Sequence, residues 1–148
     1  MIGEIDALTS ALNIASKQVS EYLDQELHPL GLTASNYYFI LKIARVDTVT
    51  QDQLYQLIYL TQSNITRRLA QLVQKGLVVK RRDPNDKRAW IIELTAAGQE
   101  LVPQLQKRLA AANKKIFAGL SASQKEALAT TLQQVNRNIE AQFLWPRV

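Results

Sequence analysis

Between Gln62 and Arg68 the chain places Gln62, Ser63, Asn64, Thr66, Arg67 and Arg68 around a single apolar residue, Ile65. Amide, hydroxyl and guanidinium groups at this density match the donors and acceptors on base-pair edges in a major groove and the phosphates beside it. A second polar cluster follows, Asp83-Pro84-Asn85-Asp86-Lys87-Arg88, with the composition of a turn. Arginine on such a loop suits the negative potential of a narrow minor groove. From Thr61 to Trp90 eight Lys and Arg stand against two Asp, a local net of +6, while the remaining residues sum to −1. A fifth of the chain therefore holds the whole positive excess, the distribution expected of an electrostatic footprint on nucleic acid.

Other chemistries find little support. With no cysteine the chain has no thiolate, disulfide or Cys-containing zinc site, and with one histidine, His28, it has little material for metal binding or acid-base catalysis. His28 sits where a helix should end and suits its C-terminal dipole. Asp83 and Asp86 could be taken for a general acid and base, but Asp-Pro-Asn-Asp is a turn whose carboxylates bond local amides. No spacing assembles a nucleophile, a base and an orienting group, so the expectation is no enzyme, no catalytic residue, no metal and no cofactor.

The elements that must hold the two clusters can be read from periodicity. Ile5, Leu8, Leu12, Ala15, Val19, Tyr22 and Leu27 form one stripe of a long amphipathic helix that should stop at His28-Pro29. Thr33 is the expected N-cap of a largely apolar second helix running through Tyr37, Phe39, Ile40, Leu41 and Ile43 to about Arg45. Thr50-Gln51-Asp52-Gln53 is a capping box opening a short helix to about Ile58. A further helix starts at Thr61 or Gln62, carries Ile65, Leu69, Leu72 and Val73 as its apolar stripe, and ends at Lys75-Gly76.

After Gly76 the pattern alternates: Leu77 to Arg82 and Arg88 to Leu94 read as a hairpin, with Trp90, Ile92 and Leu94 facing the core. Thr95 opens a helix to about Leu120, expected to break or bend near Pro103. Ser121-Ala122-Ser123-Gln124 is a second capping box, and Leu128, Leu132, Val135, Ile139 and Phe143 form the last stripe, with Trp145 beyond it. No apolar run reaches the ~18 residues that span a bilayer, and the N-terminus is acidic rather than basic, so the expectation is a cytoplasmic protein without membrane contact.

A short helix, a turn, a second helix with a polar-basic face and then a two-stranded ribbon is the order of a winged helix-turn-helix. At this point the sequence resembles the MarR-like family of winged helix-turn-helix transcription regulators, over nearly its whole length. The resemblance rests on Leu32-Thr33 followed by Tyr37 to Leu41, on Ser63-Asn-Ile-Thr-Arg-Arg-Leu69, on Lys75-Gly76-Leu77-Val78, and above all on Asp86-Lys87-Arg88 followed by Leu94-Thr95 and Gly98.

It implies a mainly α fold with a small β-hairpin wing, a winged helix-turn-helix at residues 31–99, and dimerisation helices at residues 1–30 and 100–148. Gln62, Ser63, Asn64, Thr66, Arg67 and Arg68 would then be recognition-helix residues. Arg88 would be the wing arginine, with Lys87 beside it and Asp86 the carboxylate that orients it. The implied partners are double-stranded DNA at a pseudo-palindromic operator, a second copy of the chain, and a small anionic or phenolic effector, for which Tyr37, Tyr38, Lys42 and Arg45 are candidates. Ordinary packing is the stronger reading for tyrosines on a central helix, where aromatic residues usually serve the core. A dimer is also favoured by the residues themselves, since two long amphipathic helices carry more apolar stripe than a core of roughly 65 residues can cover. A winged-helix module that binds protein rather than DNA is the alternative.

Overall fold

The computed structural model describes residues 2–57 and 62–142. Phe143 and Trp145, the Thr61 start of the fourth helix, and the side chains of Gln62 and Ser63 lie outside the described residues. The element order is α1 (Ile2–Leu27), a 3-10 turn (His28–Leu30), α2 (Tyr37–Val46), β1 (Thr48–Thr50), α3 (Gln51–Leu57), α4 (Gln62–Gln74), β2 (Val78–Arg82), β3 (Trp90–Leu94), α5 (Ala96–Ile116) and α6 (Ala122–Gln142). Among the described residues no helix is long and apolar enough to cross a membrane.

The core gathers one face from each central element: Leu23 and Leu27 of α1, Phe39, Ile40 and Ile43 of α2, Leu54 of α3, Ile65, Leu69 and Leu72 of α4, Ile92 and Leu94 of β3, and Leu105 of α5. Burial of this kind contributes roughly 1.5–3 kcal/mol per large side chain and is what fixes α4 on the body of the domain. Val73, placed on the α4 stripe by spacing, is 40% exposed. It stands one residue beyond Leu72, about 100° round the helix, and so falls off the buried face.

Both capping boxes form as the sequence requires. Gln53 N–H donates to Thr50 Oγ1 at 3.1 Å while Thr50 N–H donates to Gln53 Oε1 at 3.0 Å. Gln124 N–H and Ser121 Oγ make the same exchange with Ser121 N–H and Gln124 Oε1, at 3.1 and 2.8 Å. At the end of α4, Gly76 takes φ +75°, Gly76 N–H donates to the Val73 carbonyl and Leu77 N–H reaches back to that of Leu72. This paired closure satisfies the last helical carbonyls and turns the chain directly into β2.

Three expectations need correction. The second helix begins at Tyr37, not just after Thr33, because residues 33–37 close a turn of their own. Asn36, a buried polar residue, accepts from Thr33 N–H through Oδ1 at 2.8 Å, and Asp24 Oδ1 on α1 accepts from Ala34 N–H at 2.7 Å. The helix through Pro103 is not broken there but runs continuously from Ala96 to Ile116. Pro103 is exposed, so water can satisfy the carbonyl its missing N–H leaves free, while Leu101, Val102 and Leu105 hold both sides of it to the core.

The hairpin, finally, is part of a three-stranded antiparallel sheet in the order β1-β3-β2. Val49 pairs with Ile92 in β1, and Arg82 with Trp90 at the far end of β2. The two ribbon strands are also shorter than alternation suggested, since Leu77 belongs to the α4 cap and residues 83–89 to the tip.

The outer helices are different. Among the described side chains the α1 stripe meets the core from Val19 onward, and Leu8 and Leu12 are 77% and 42% exposed. No side chain of α6 is buried, although Leu128, Leu132, Val135 and Ile139 repeat at steps of four, three and four.

Candidate nucleic-acid interface

On α4 the buried stripe leaves the polar residues outward. Thr66 and Arg67 are exposed, Asn64 is half-buried, and Arg67 Nη2 donates to Asn64 Oδ1 one turn earlier at 2.7 Å. Gln51 Nε2 donates to Thr66 Oγ1 at 3.5 Å and so links the first residue of α3 to the outer face of α4. Arg68 behaves differently from its neighbour. It is half-buried, its Nε is shielded from solvent, and it lies within electrostatic reach of Tyr38 on α2. Burial pushes the Tyr38 phenol up from its ordinary pKa, Arg68 draws it part of the way back, and Tyr37 pushes it up further. Sequence periodicity set Arg67 and Arg68 together on the outer face; the structure separates them.

The wing tip is a small hydrogen-bonded frame. Asp83 N–H donates to the Ala89 carbonyl at 3.1 Å, and Ala89 N–H to the Asp86 carbonyl at 2.9 Å. Both tip carboxylates are engaged by local amides: Asp83 Oδ1 accepts from Asn85 N–H at 2.9 Å, and Asp86 Oδ1 from Arg88 N–H at 3.0 Å. Asp86 therefore acts on the backbone of Arg88 rather than on its guanidinium. The side chains of Lys87 and Arg88 are exposed at the tip.

Below the tip the ribbon arginines are occupied. Arg81 Nε pairs with Glu93 Oε1 at 3.1 Å. Arg82 stacks with its Cζ 4.0 Å from the centre of the Trp90 ring, Lys80 Nζ lies 4.8 Å from the same ring, and Arg82 Nη1 donates to the Lys87 carbonyl at 2.8 Å. Trp90 is thus half-buried beneath two cations, not a core residue like Ile92 and Leu94. This cluster was not anticipated. Its only sequence signal is an aromatic residue directly across the ribbon from an arginine, and that depends on the register.

A cavity of about 450 Å³ lies between α2 and α5, lined by Tyr37, Tyr38, Leu41, Lys42, Ala44, Arg45, Val102 and Gln106. All four pocket candidates named from the sequence meet there. The Tyr37 and Tyr38 rings pack edge to face at 5.6 Å, and burial raises the pKa of Tyr37 as well. At pH 7 the phenols are neutral donors, and the cations of the wall come from Lys42 and Arg45.

A sequence model of the MarR family matches residues 30–89. An uncharacterized HTH-type transcriptional regulator, YdgJ of Bacillus subtilis (strain 168), is 28% identical over 109 residues, 74% of this chain and 66% of that protein. Among solved structures, a cysteine-to-serine mutant of MarR from E. coli complexed with operator DNA superposes with a TM-score of 0.82 at 25% identity, covering 91% of this chain and 97% of that one. The transcriptional regulator SlyA gives the same TM-score of 0.82 at 18% identity, with 91% and 95% covered, a likeness of fold.

Proposed function

We propose that this chain, whose residues 30–89 match the MarR family model, is a MarR-like winged helix-turn-helix protein and acts as a cytoplasmic, homodimeric repressor that reads a pseudo-palindromic DNA operator. Residues 31–99 form the reading head, and the helices of residues 1–30 and 100–148 join two copies. The observation that carries this reading is the wing tip, where two carboxylates are spent on backbone amides and leave Lys87 and Arg88 projecting. Asn64, Thr66 and Arg67, together with Gln62 and Ser63, supply base-edge and phosphate contacts in the major groove, and Arg88 enters the minor groove beside it. Arg68 has a different task, joining α4 to the α2 wall near Tyr38.

Support for the dimer comes from the outer helices. Leu8, Leu12, Leu128 and Ile139 are large apolar residues that stand exposed on the outer helices within one chain. A two-fold axis would set the paired α4 helices about 34 Å apart, one helical turn of DNA. The cavity between α2 and α5 suits a small anionic or phenolic effector, with Lys42 and Arg45 for its charge and the two tyrosines for its ring. Such a ligand releases DNA only if it favours a conformer with a different spacing of the heads.

Arg88→Ala tests the wing directly. Operator binding followed across a salt titration should weaken by about 1–3 kcal/mol, roughly 5- to 150-fold, with the log-log salt slope shallower by about one. Unchanged affinity at every salt concentration would remove Arg88 from the interface.

A further inference from the structure

We propose that Arg82 is a positioning residue, braced on Trp90, that fixes the peptide carrying Arg88 and makes no DNA contact of its own. The inference rests on the DNA-binding reading above and adds to it a division of labour among the arginines of the ribbon.

The geometry begins with the register. Arg82 lies directly opposite Trp90 on the last rung of the β2–β3 ladder, so the two side chains share one face of the sheet. Further down the ladder that face carries Val78 and Leu94, which are buried. The Arg82 guanidinium is therefore on the core side of the ribbon, continuing the packed layer outward to the base of the tip. A flat guanidinium can lie on an indole and still donate from its edge, which a lysine ammonium cannot do with the same geometry. Arg82 uses both abilities at once, with its Cζ 4.0 Å from the ring centre and its Nη1 2.8 Å from the Lys87 carbonyl oxygen.

The Lys87 carbonyl and the Arg88 N–H belong to one peptide unit. Arg82 holds the carbonyl and Asp86 Oδ1 holds the N–H at 3.0 Å, so this plane is gripped at both ends. Because a peptide unit is rigid, fixing its two polar atoms fixes the orientation of the next Cα, and with it the direction in which Arg88 leaves the loop. Arg81 is engaged by Glu93 on the opposite face of the ribbon. Of the three ribbon arginines, one is paired, one braces, and Arg88 alone projects from the tip.

The closing experiment has two arms. In the free protein, Arg82→Lys keeps the charge and loses the brace, and amide exchange at Arg88 and Ala89 should accelerate about tenfold while exchange in the buried strand at Ile92 stays as in the parent. In the second arm, binding to a labelled duplex carrying the chain's own promoter region is measured for Arg82→Lys and Arg82→Ala, for Arg88→Ala, and for each Arg82 variant combined with Arg88→Ala. The brace predicts about tenfold weaker binding for Arg82→Lys alone and less than about twofold further loss when Arg88 is already alanine.

A direct phosphate contact by Arg82 would give the opposite pattern: near-parental affinity for Arg82→Lys, and additive losses for Arg82→Ala in both backgrounds. Either that result or unchanged exchange at Arg88 and Ala89 overturns the proposal. Accelerated exchange in Arg82→Lys, together with a parent protein that fails to bind duplex DNA, would leave the brace standing and defeat the DNA-binding reading.

Discussion

Gly98→Ala should cost about 3 kcal/mol or more of folding stability, a large share of the ~5–15 kcal/mol available to a domain of this kind. A Cβ at Gly98 would lie 2.2 Å from the Leu77 carbonyl oxygen and 3.2 Å from its carbon. That carbonyl cannot swing aside, because it accepts from Thr95 N–H at 3.0 Å, while Leu77 N–H is committed to Leu72 at the end of α4. Thr95 completes the lock: its hydroxyl donates to the Gly76 carbonyl at 2.6 Å and accepts from Gly98 N–H at 3.1 Å. The requirement at Gly98 is room for a backbone to pass, with no unusual dihedral involved. Urea unfolding should show a lower midpoint with an unchanged slope, and a parental midpoint would mean that the α4–β2 junction does not touch α5 this closely.

The second large effect should come from the opposite end of the chain. Leu8 and Leu12 lie one turn apart on α1 and are exposed within a single chain. Replacing both with aspartate should leave the core intact and convert a species of twice the 16.7 kDa chain mass into monomer in sedimentation experiments. Operator affinity should fall about 10²- to 10⁴-fold, because two linked heads gain that much from a shared duplex. A double variant that sediments as the parent does and binds equally well would show that this stripe has no part in assembly.

Much of this was legible in the sequence because the signals are local. Two capping boxes, the Lys75-Gly76 stop and the Ile65-Leu69-Leu72 part of the α4 stripe each depend on residues within one or two helical turns, and each formed as spacing dictates. The tip carboxylates bonded nearby amides for the same reason. What was not legible depends on partners far away in the chain. β1 is three residues long and exists because Val49 can enter the core beside Ile92; alternation over three residues carries too little signal to show it. Arg68 is half-buried because its position borders the buried stripe, and spacing alone could not decide which arginine of the pair would be. The Arg82–Trp90 brace and the Gly98–Leu77 contact arise from strand register and helix packing, which no window along the sequence contains.

The most direct test is to expose sheared genomic DNA to the purified full-length chain and sequence the fragments it retains. Two copies reading one duplex predict enriched fragments that share two inverted half-sites, with centres about 10 base pairs or a multiple of it apart. Fragments that share no such element, or that carry one half-site without its mirror, would contradict the account.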